Sequence, residues 1–163
     1  MKKLFILAVA VVLVTTGCGM KTAVEKNIEK QLEESTGQAV NLDIEGGKTT
    51  LEVGEGMTIE AGEGVSLPDN FPNDVYVIEG KIISAMENIV QGGQSVVIVT
   101  EKSIIEARAL YEEKLKEADW SITFSSMTGD MAMMSAQKGD RIVSLSISKD
   151  EDNQTNVVLT VVE

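Results

Sequence analysis

The sequence predicts an α+β fold, a mostly antiparallel sheet with one long helix packed on it. A short helix and a small glycine-rich β-meander are predicted to precede this part of the chain. The prediction depends on three features: an eight-residue repeat with glycine turns, a helical pattern over residues 103–118, and four alternating segments after that helix. Because only short turns separate those four segments, neighbouring strands must run antiparallel.

A first helix is predicted over residues 22–35, where Val24, Ile28 and Leu32 recur every four residues among charged side chains. The stripe would suit a coiled coil or a partner-binding helix. It would equally suit a spacer near a membrane, or a helix laid on the neighbouring sheet. Two heptads are short for a coiled coil, so the spacer or the sheet-packed helix is favoured.

The glycine-rich repeat follows this helix. Residues 51–57 (LEVGEGM) and 59–65 (IEAGEGV) match at a period of eight, and residues 40–44 (VNLDI) resemble a degenerate copy. Alternation followed by glycine predicts short strands joined by tight turns. The acidic turns supply one glutamate each (Glu45, Glu55 and Glu63), too few converging oxygens for calcium, so solvated turns are favoured.

The C-terminal part begins at Pro68 and Pro72, the two prolines of the chain. Strands are predicted over 74–78, 81–87, 95–100, 120–127, 131–137, 141–148 and 155–162. The helix begins with Ser103 and Glu106 at capping-box spacing. The predicted organisation is a lipoprotein signal peptide at 1–17, a lipid anchor and tether helix at 18–37, a glycine-rich β-repeat segment at 38–65, and an α+β domain at 66–163.

The composition excludes several kinds of protein. The 163 residues have a formal net charge of −12, no histidine, one cysteine and 4% aromatic residues. An acidic surface repels phosphate backbones, so no nucleic-acid partner is expected. Without histidine the usual general base and the commonest transition-metal ligand are missing. We therefore expect no catalytic residues, no metal and no cofactor, and we expect the protein not to be an enzyme.

The N-terminus has the form of an export signal. Lys2 and Lys3 precede an apolar run over residues 4–14, which is too short to span a bilayer. The following Thr15-Thr16-Gly17-Cys18 resembles the lipobox of bacterial lipoproteins, although that family prefers Leu, Val or Ile where Thr15 stands. The resemblance implies that Thr15, Thr16 and Gly17 are recognised by the processing machinery and that Cys18 bears the lipid. It implies a protein anchored to the cell membrane or outer membrane and facing away from the cytoplasm.

A second resemblance covers about residues 67–162. LPDNFPNDV, then a helix with YEEKLKEADW, then KGDRIV, is similar to a group of small, uncharacterised bacterial lipoproteins with the pattern L-P-x-x-F-P-x-D-V, Y-x-x-x-L-x-x-x-x-W and K-x-x-R-x-V. This chain has Val77-Ile78-Glu79-Gly80 where relatives often have Pro-Gly. The resemblance implies a lipoprotein and an α+β fold, and it implies no activity.

Four groups of side chains are candidate sites. Tyr111 and Trp120 could line a ligand groove between helix and sheet, although packing is favoured. Methionines at 127, 131, 133 and 134 could bind copper(I), but packing is again favoured. Asp150, Asp152 and Gln154 form half of a calcium loop and fit a hairpin tip better. Carboxylate pairs at 69 and 74, or at 117 and 119, lack the aromatic cleft that glycoside hydrolysis needs.

These features together predict a membrane-anchored lipoprotein outside the cytoplasm, with a non-catalytic domain that binds another envelope protein or assists an assembly. The alternative is a small-molecule or lipid-binding module that uses a groove between the helix and the sheet. An enzyme is the third hypothesis and has the least support in the sequence.

Overall fold

The computed structural model describes residues 21–88, 92–150 and 152–163. The described elements are two helices and nine strands: α1 Lys21–Thr36, β1 Val40–Glu45, β2 Lys48–Val53, β3 Met57–Gly62, β4 Lys81–Asn88, β5 Gly93–Thr100, α2 Ile104–Glu117, β6 Ser121–Thr128, β7 Met131–Lys138, β8 Arg141–Lys149 and β9 Thr155–Val162. All nine strands form one sheet in the order β1-β2-β3-β4-β5-β9-β8-β7-β6, and every pairing is antiparallel.

The predicted fold class is wrong in its arrangement. The helix over the C-terminal strands has 14 residues, and α1 has 16, so the described residues do not contain one long helix preceded by a short one. The glycine-rich strands are not a separate meander either, because β3 pairs with β4 from Met57↔Asn88 to Ala61↔Ser84. Alternation along each strand does not reveal that this pairing forms across the intervening segment, which is why the single sheet was missed.

The predicted strand at residues 74–78 is also absent. Residues 63–80 form turns and irregular backbone that lie across the sheet, with Phe71, Val75 and Ile78 buried in the main core. Two prolines remove backbone donors from this segment, so it contributes buried side chains but no ladder hydrogen bonds. It acts as a cover for β4 and β5.

The two faces of the sheet are covered at different places. On one face, which we call the inner face, α2 and residues 63–80 bury a continuous core that includes Tyr111, Leu115, Val96 and Leu145. On the other face, α1 contacts β1, where Val40 and Leu42 are buried while the alternating Asn41 and Asp43 are exposed. Neither described helix lies on this second face over strands β5 to β9.

The helix α1 closes the edge of the sheet with side-chain carboxylates. The backbone N–H groups of Val40, Leu42 and Ile44 donate to Glu33, Glu29 and Glu25, at N···O distances of 3.2, 2.8 and 3.3 Å. Four helical residues rise about 6.0 Å, and two strand residues rise about 6.6 Å. Because these repeats nearly match, one row of glutamates satisfies successive edge donors, which protects a strand that could otherwise pair with another chain.

This ladder predicts a local effect of Glu29→Ala. Removing the carboxylate leaves the Leu42 amide without its partner, and we expect a loss of about 1 kcal/mol of unfolding free energy. Hydrogen exchange at Val40, Leu42 and Ile44 should accelerate more than exchange at β8 or β9. The matched control is Glu34→Ala, which removes an exposed glutamate 4.0 Å from Lys30 on the same helix. Equal exchange rates in the two variants would contradict the role of the ladder.

Candidate functional site

The three motifs LPDNFPNDV, YEEKLKEADW and KGDRIV contribute side chains to one ion-pair cluster on the inner face. Asp74 accepts two hydrogen bonds from Arg141, at 2.8 and 2.6 Å, and one from Lys138 at 2.9 Å. Lys138 also donates to the carbonyl oxygen of Ala118 at 2.9 Å. The indole N–H of Trp120 donates to the backbone oxygen of Asp74 at 3.1 Å, and the Arg141 guanidinium lies 5.1 Å from the Trp120 ring centroid. The cluster therefore fastens residues 63–80 to the β7–β8 hairpin and to the end of α2.

The electrostatics of this cluster favour the charged carboxylate. The hydrogen bonds from Arg141 outweigh the opposing effect of desolvation and, with those from Lys138, hold the pKa of Asp74 well below its ordinary value. The pKa of Arg141 is raised by the same pair. Since the carboxylate oxygens and both cations are occupied by one another, the geometry is that of a structural clamp.

Tyr111 and Trp120, the predicted groove residues, are buried against the sheet with 0% and 2% of their surface exposed. The hydroxyl of Tyr111 accepts from the backbone N–H of Ile78 at 3.2 Å, and its ring meets Tyr76 edge-on at 5.4 Å between centroids. Burial raises the pKa of the Tyr111 hydroxyl. Side chains thus fill the interface of α2 and the sheet around these residues, and both act in packing.

The other candidate groups do not converge on a metal or a substrate. Met131 and Met133 lie on one face of β7, whereas Met134 is buried on the other face. Asp150 accepts from the backbone N–H of Gln154 at 2.8 Å, as a hairpin tip requires. Glu117 pairs with Lys114 at 2.7 Å. Within the described ranges, no three acidic, histidine or cysteine side chains are placed to hold a metal ion.

An open cleft of about 840 Å³ lies at one end of the sheet, where β4, β5, β8 and β9 terminate. Lys81, Lys102 and Lys149 line it together with apolar Ile83 and Val99 and acidic side chains at 79 and 101. None of the three lysines forms an ion pair within 4 Å with an acidic side chain that the structure describes. In an acidic chain, this end cleft is a local concentration of lysines, of which Lys149 donates to the carbonyl oxygen of Asn153 at 2.8 Å.

Two backbone details shape the end cleft. A Cβ at Gly80 would meet the carbonyl oxygen of Val99, so the chain passes this close to β5 only because residue 80 is glycine. The hydroxyl of Thr155 is buried in the wall, and the described residues give it no hydrogen-bond partner. The hydroxyl of Thr100 opposite it donates to the Glu79 carbonyl at 2.9 Å.

The second face of β5 to β9, which we call the uncharged face, is the other candidate site. The registers place on it no charged side chain of these described strands, while hydroxyl and aliphatic residues alternate across it. Its large apolar side chains are between 37% and 50% exposed. They are Phe124, Met131, Met133, Ile142, Val158 and Val162. The other outward positions in the registers of these strands are Gly93, Ser95, Val97, Val99, Ser121, Ser126, Thr128, Ser135, Gln137, Ser144, Ser146, Ser148, Asn156 and Thr160.

A shallow depression of about 220 Å³ lies in the uncharged face, with Phe124, Met133 and Val158 in its walls. Charged side chains would normally keep such a surface hydrated. On these strands the charged side chains lie instead at the hairpin ends and on the inner face, as Lys138 and Arg141 do. Contiguous exposed apolar surface of this kind is typical of an interaction site.

The predicted lipid-attachment residue Cys18 and the signal residues Thr15, Thr16 and Gly17 lie outside the described residues. Neither described helix has the length and apolar character needed to cross a membrane.

Comparison with known proteins gives one partial similarity. Residues 82–155 match a family described as START domain-like. The match runs from β4 to the first residue of β9, less than half of the chain, and it includes most of the residues that line the end cleft. No curated protein and no solved structure matches the chain.

Sequence reasoning missed both open surfaces. The uncharged face had a detectable signal, because the outward positions in β7, β8 and β9 are all hydroxyl, amide, aliphatic or methionine side chains where a solvated strand would have lysine or glutamate. The end cleft had no such signal in the sequence. Its lysines at 81, 102 and 149 are far apart in sequence and meet only because β5 lies between β4 and β9.

The ion-pair cluster predicts a pH-dependent effect of Asp74→Asn. The folded-state pKa of Asp74 is depressed, so its stabilisation is fully present above the unfolded value near 4 and is lost as pH falls through the folded value. We expect the variant to lose about 2 kcal/mol of unfolding free energy at pH 7, because hydrogen bonds to a charged group are removed. Urea unfolding should show this difference shrinking below about pH 4.

The control for this measurement is Asp69→Asn, an exposed aspartate in the same segment. It should change stability little at either pH. A stability difference between wild type and Asp74→Asn that stays constant down to about pH 2 would contradict the assigned cause of the pKa shift.

Proposed function

We propose that the protein is a lipid-anchored bacterial lipoprotein, held by Cys18 on the outer side of a membrane, whose folded domain is a non-catalytic module for docking a protein partner. The anchor is supported by the residues of the leader, Thr15-Thr16-Gly17-Cys18. Two or three acyl chains on one cysteine hold a protein firmly at a bilayer, since each buried methylene contributes about 0.8 kcal/mol.

The uncharged face is the observation on which the docking function depends. A sheet needs both faces either covered or solvated, and the inner face of β5 to β9 is already covered by α2 and by residues 63–80. On the second face of these strands, the described residues provide neither a covering element nor a charged side chain. Exposed Phe124, Met133 and Val158 around a shallow depression would bury apolar surface on contact with another protein, which favours association.

The proposal is tested by a photocrosslinking amino acid at position 133 in the full chain, expressed in cells. We expect membrane-associated protein and a discrete protein adduct at this position. The matched control places the same amino acid at position 105, because Ile105 is 66% exposed on α2, away from the uncharged face. Cys18→Ala should remove the lipid from the intact mass and release the protein from membranes. Adducts of equal yield at 133 and 105 would contradict docking by the uncharged face, and an unmodified residue 18 in the wild-type protein would contradict the anchor.

A second candidate function is binding of a small anionic molecule in the end cleft. The START domain-like match over most of its lining is compatible with a ligand-binding module. Lysines 81, 102 and 149 would attract a carboxylate or phosphate group, while Ile83 and Val99 provide an apolar wall. The size of the cleft, about 840 Å³, is that of a small-molecule site.

Binding of decanoate and decanol tests this second function, measured by calorimetry below the micellar concentration of decanoate and below the solubility limit of decanol. We expect decanoate to bind more tightly than decanol, because only decanoate gains charge pairing. Lys102→Ala should weaken decanoate binding about fivefold, since one partly exposed ion pair contributes about 1 kcal/mol. The control Lys26→Ala removes a lysine of α1 outside the cleft and should leave binding unchanged. Equal affinities for both probes, or none for either, would exclude the end cleft as an anion site.

A further inference from the structure

The distribution of charge separates the uncharged face from the rest of the molecule. The chain has a formal net charge of −12. The described charged side chains lie on the helices, the turns and loops, strands β1 to β4, the inward positions of β7 and β8, and the last residue of the chain. Two copies that approached through most of these surfaces would repel each other. On the uncharged face this repulsion is smallest, because the described strands β5 to β9 place neither sign of charge there.

The edges of the sheet are poor places for a second copy to add. The β1 edge is occupied by the glutamate ladder of α1. The opposite edge strand, β6, has an irregular register between Ile122 and Phe124, and such a bulge interrupts further strand pairing. Association of two copies is therefore directed to the face of the sheet.

The dimensions of the face reach the lower part of the size range of specific interfaces. Five strands spaced about 4.8 Å apart, each of eight residues that rise about 3.4 Å, span roughly 24 by 27 Å, or about 650 Å². Specific interfaces bury about 800 Å² per partner, with a range of roughly 600 to 1,000 Å². The face is wide enough for such an interface without help from β1 to β4.

We propose that the partner docked on the uncharged face is a second copy of this chain, in a face-to-face dimer; this rests on the proposed docking function. The same face on both copies makes an isologous contact about a two-fold axis. The two sheets pack about 10 Å apart, as in other sheet-on-sheet arrangements. Phe124, Met133 and Val158 of each copy meet the other copy, and serine and threonine hydroxyls between them exchange hydrogen bonds. A two-fold axis along the bilayer normal keeps both anchored N-termini at one membrane.

Sedimentation velocity of the full lipidated protein tests this inference. The protein is studied in density-matched detergent, with micelles in large excess so that two anchors do not share one micelle by chance. We expect a monomer–dimer equilibrium that shifts with protein concentration. Val158→Asp should raise the dimer dissociation constant at least tenfold, because two copies then bring carboxylates into an apolar contact. The matched control, Ile105→Asp, places the same charge on α2 and should leave the constant unchanged.

A second variant covers the case in which Val158→Asp does not fold. Ser146 is the cross-strand neighbour of Val158 on the uncharged face. Ser146→Lys removes no apolar side chain and should weaken the dimer similarly. A monomer at all concentrations would overturn the inference, and so would a dimer that none of the face variants affects. If the protein is monomeric but position 133 yields adducts with a different protein, docking stands and only the identity of the partner is overturned. If position 133 gives no adduct as well, both proposals fail.

Discussion

The ion pair of Asp74 with Arg141 and Lys138 holds in place the segment that completes the core. Residues 63–80 have no strand or helix, so few backbone hydrogen bonds offset the entropy lost when they are ordered. Four attachments that involve side chains replace them: the carboxylate of Asp74 bound by Arg141 and Lys138, its carbonyl oxygen bound by Trp120, the N–H of Ile78 bound to Tyr111, and the carbonyl oxygen of Glu79 bound by Thr100. With the segment fixed, Phe71 and Val75 cover β4 and β5 next to α2. One face of the sheet is thereby closed, and the described part of the chain leaves the opposite face of β5 to β9 open.

Much of the local structure could be predicted from the sequence. The capping box of Ser103 and Glu106 forms as its spacing indicates, and the last four strands have nearly the predicted bounds. The residues Asp74, Trp120 and Arg141 were recognisable as parts of sequence motifs, but the sequence did not show that they contact one another. Asp74, Trp120 and Arg141 are separated by 46 residues or fewer at each step, and nothing in their spacing says that an aspartate before α2 binds an arginine after it. That contact depends on tertiary geometry, which periodicity does not record.

The arrangement of the sheet was the part that sequence reasoning could not reach. Alternation fixes which residues of a strand share a face, as in β8, where Val143 and Leu145 are buried and Ser144 is exposed. It does not fix which strands are neighbours. The pairing of β5 with β9 joins two segments across α2 and three strands, and the pairing of β3 with β4 crosses residues 63–80. These two long-range pairings turn a predicted meander and a predicted domain into one sheet, and the pairing of β5 with β9 also creates the end cleft and the uncharged face.

The chemistry of the uncharged face fits a contact that forms and dissociates. A permanently buried interface is usually more apolar, and a permanently solvated sheet face usually carries lysine and glutamate. Serine and threonine hydroxyls at positions such as 144, 146 and 160 can bond to water when the face is open and to each other when it is covered. The half-exposed Met133 and Val158 supply modest apolar area. If lipid on Cys18 confines the copies to one membrane, their effective concentration rises, and the dimeric fraction there exceeds the fraction formed in detergent solution at the same bulk concentration.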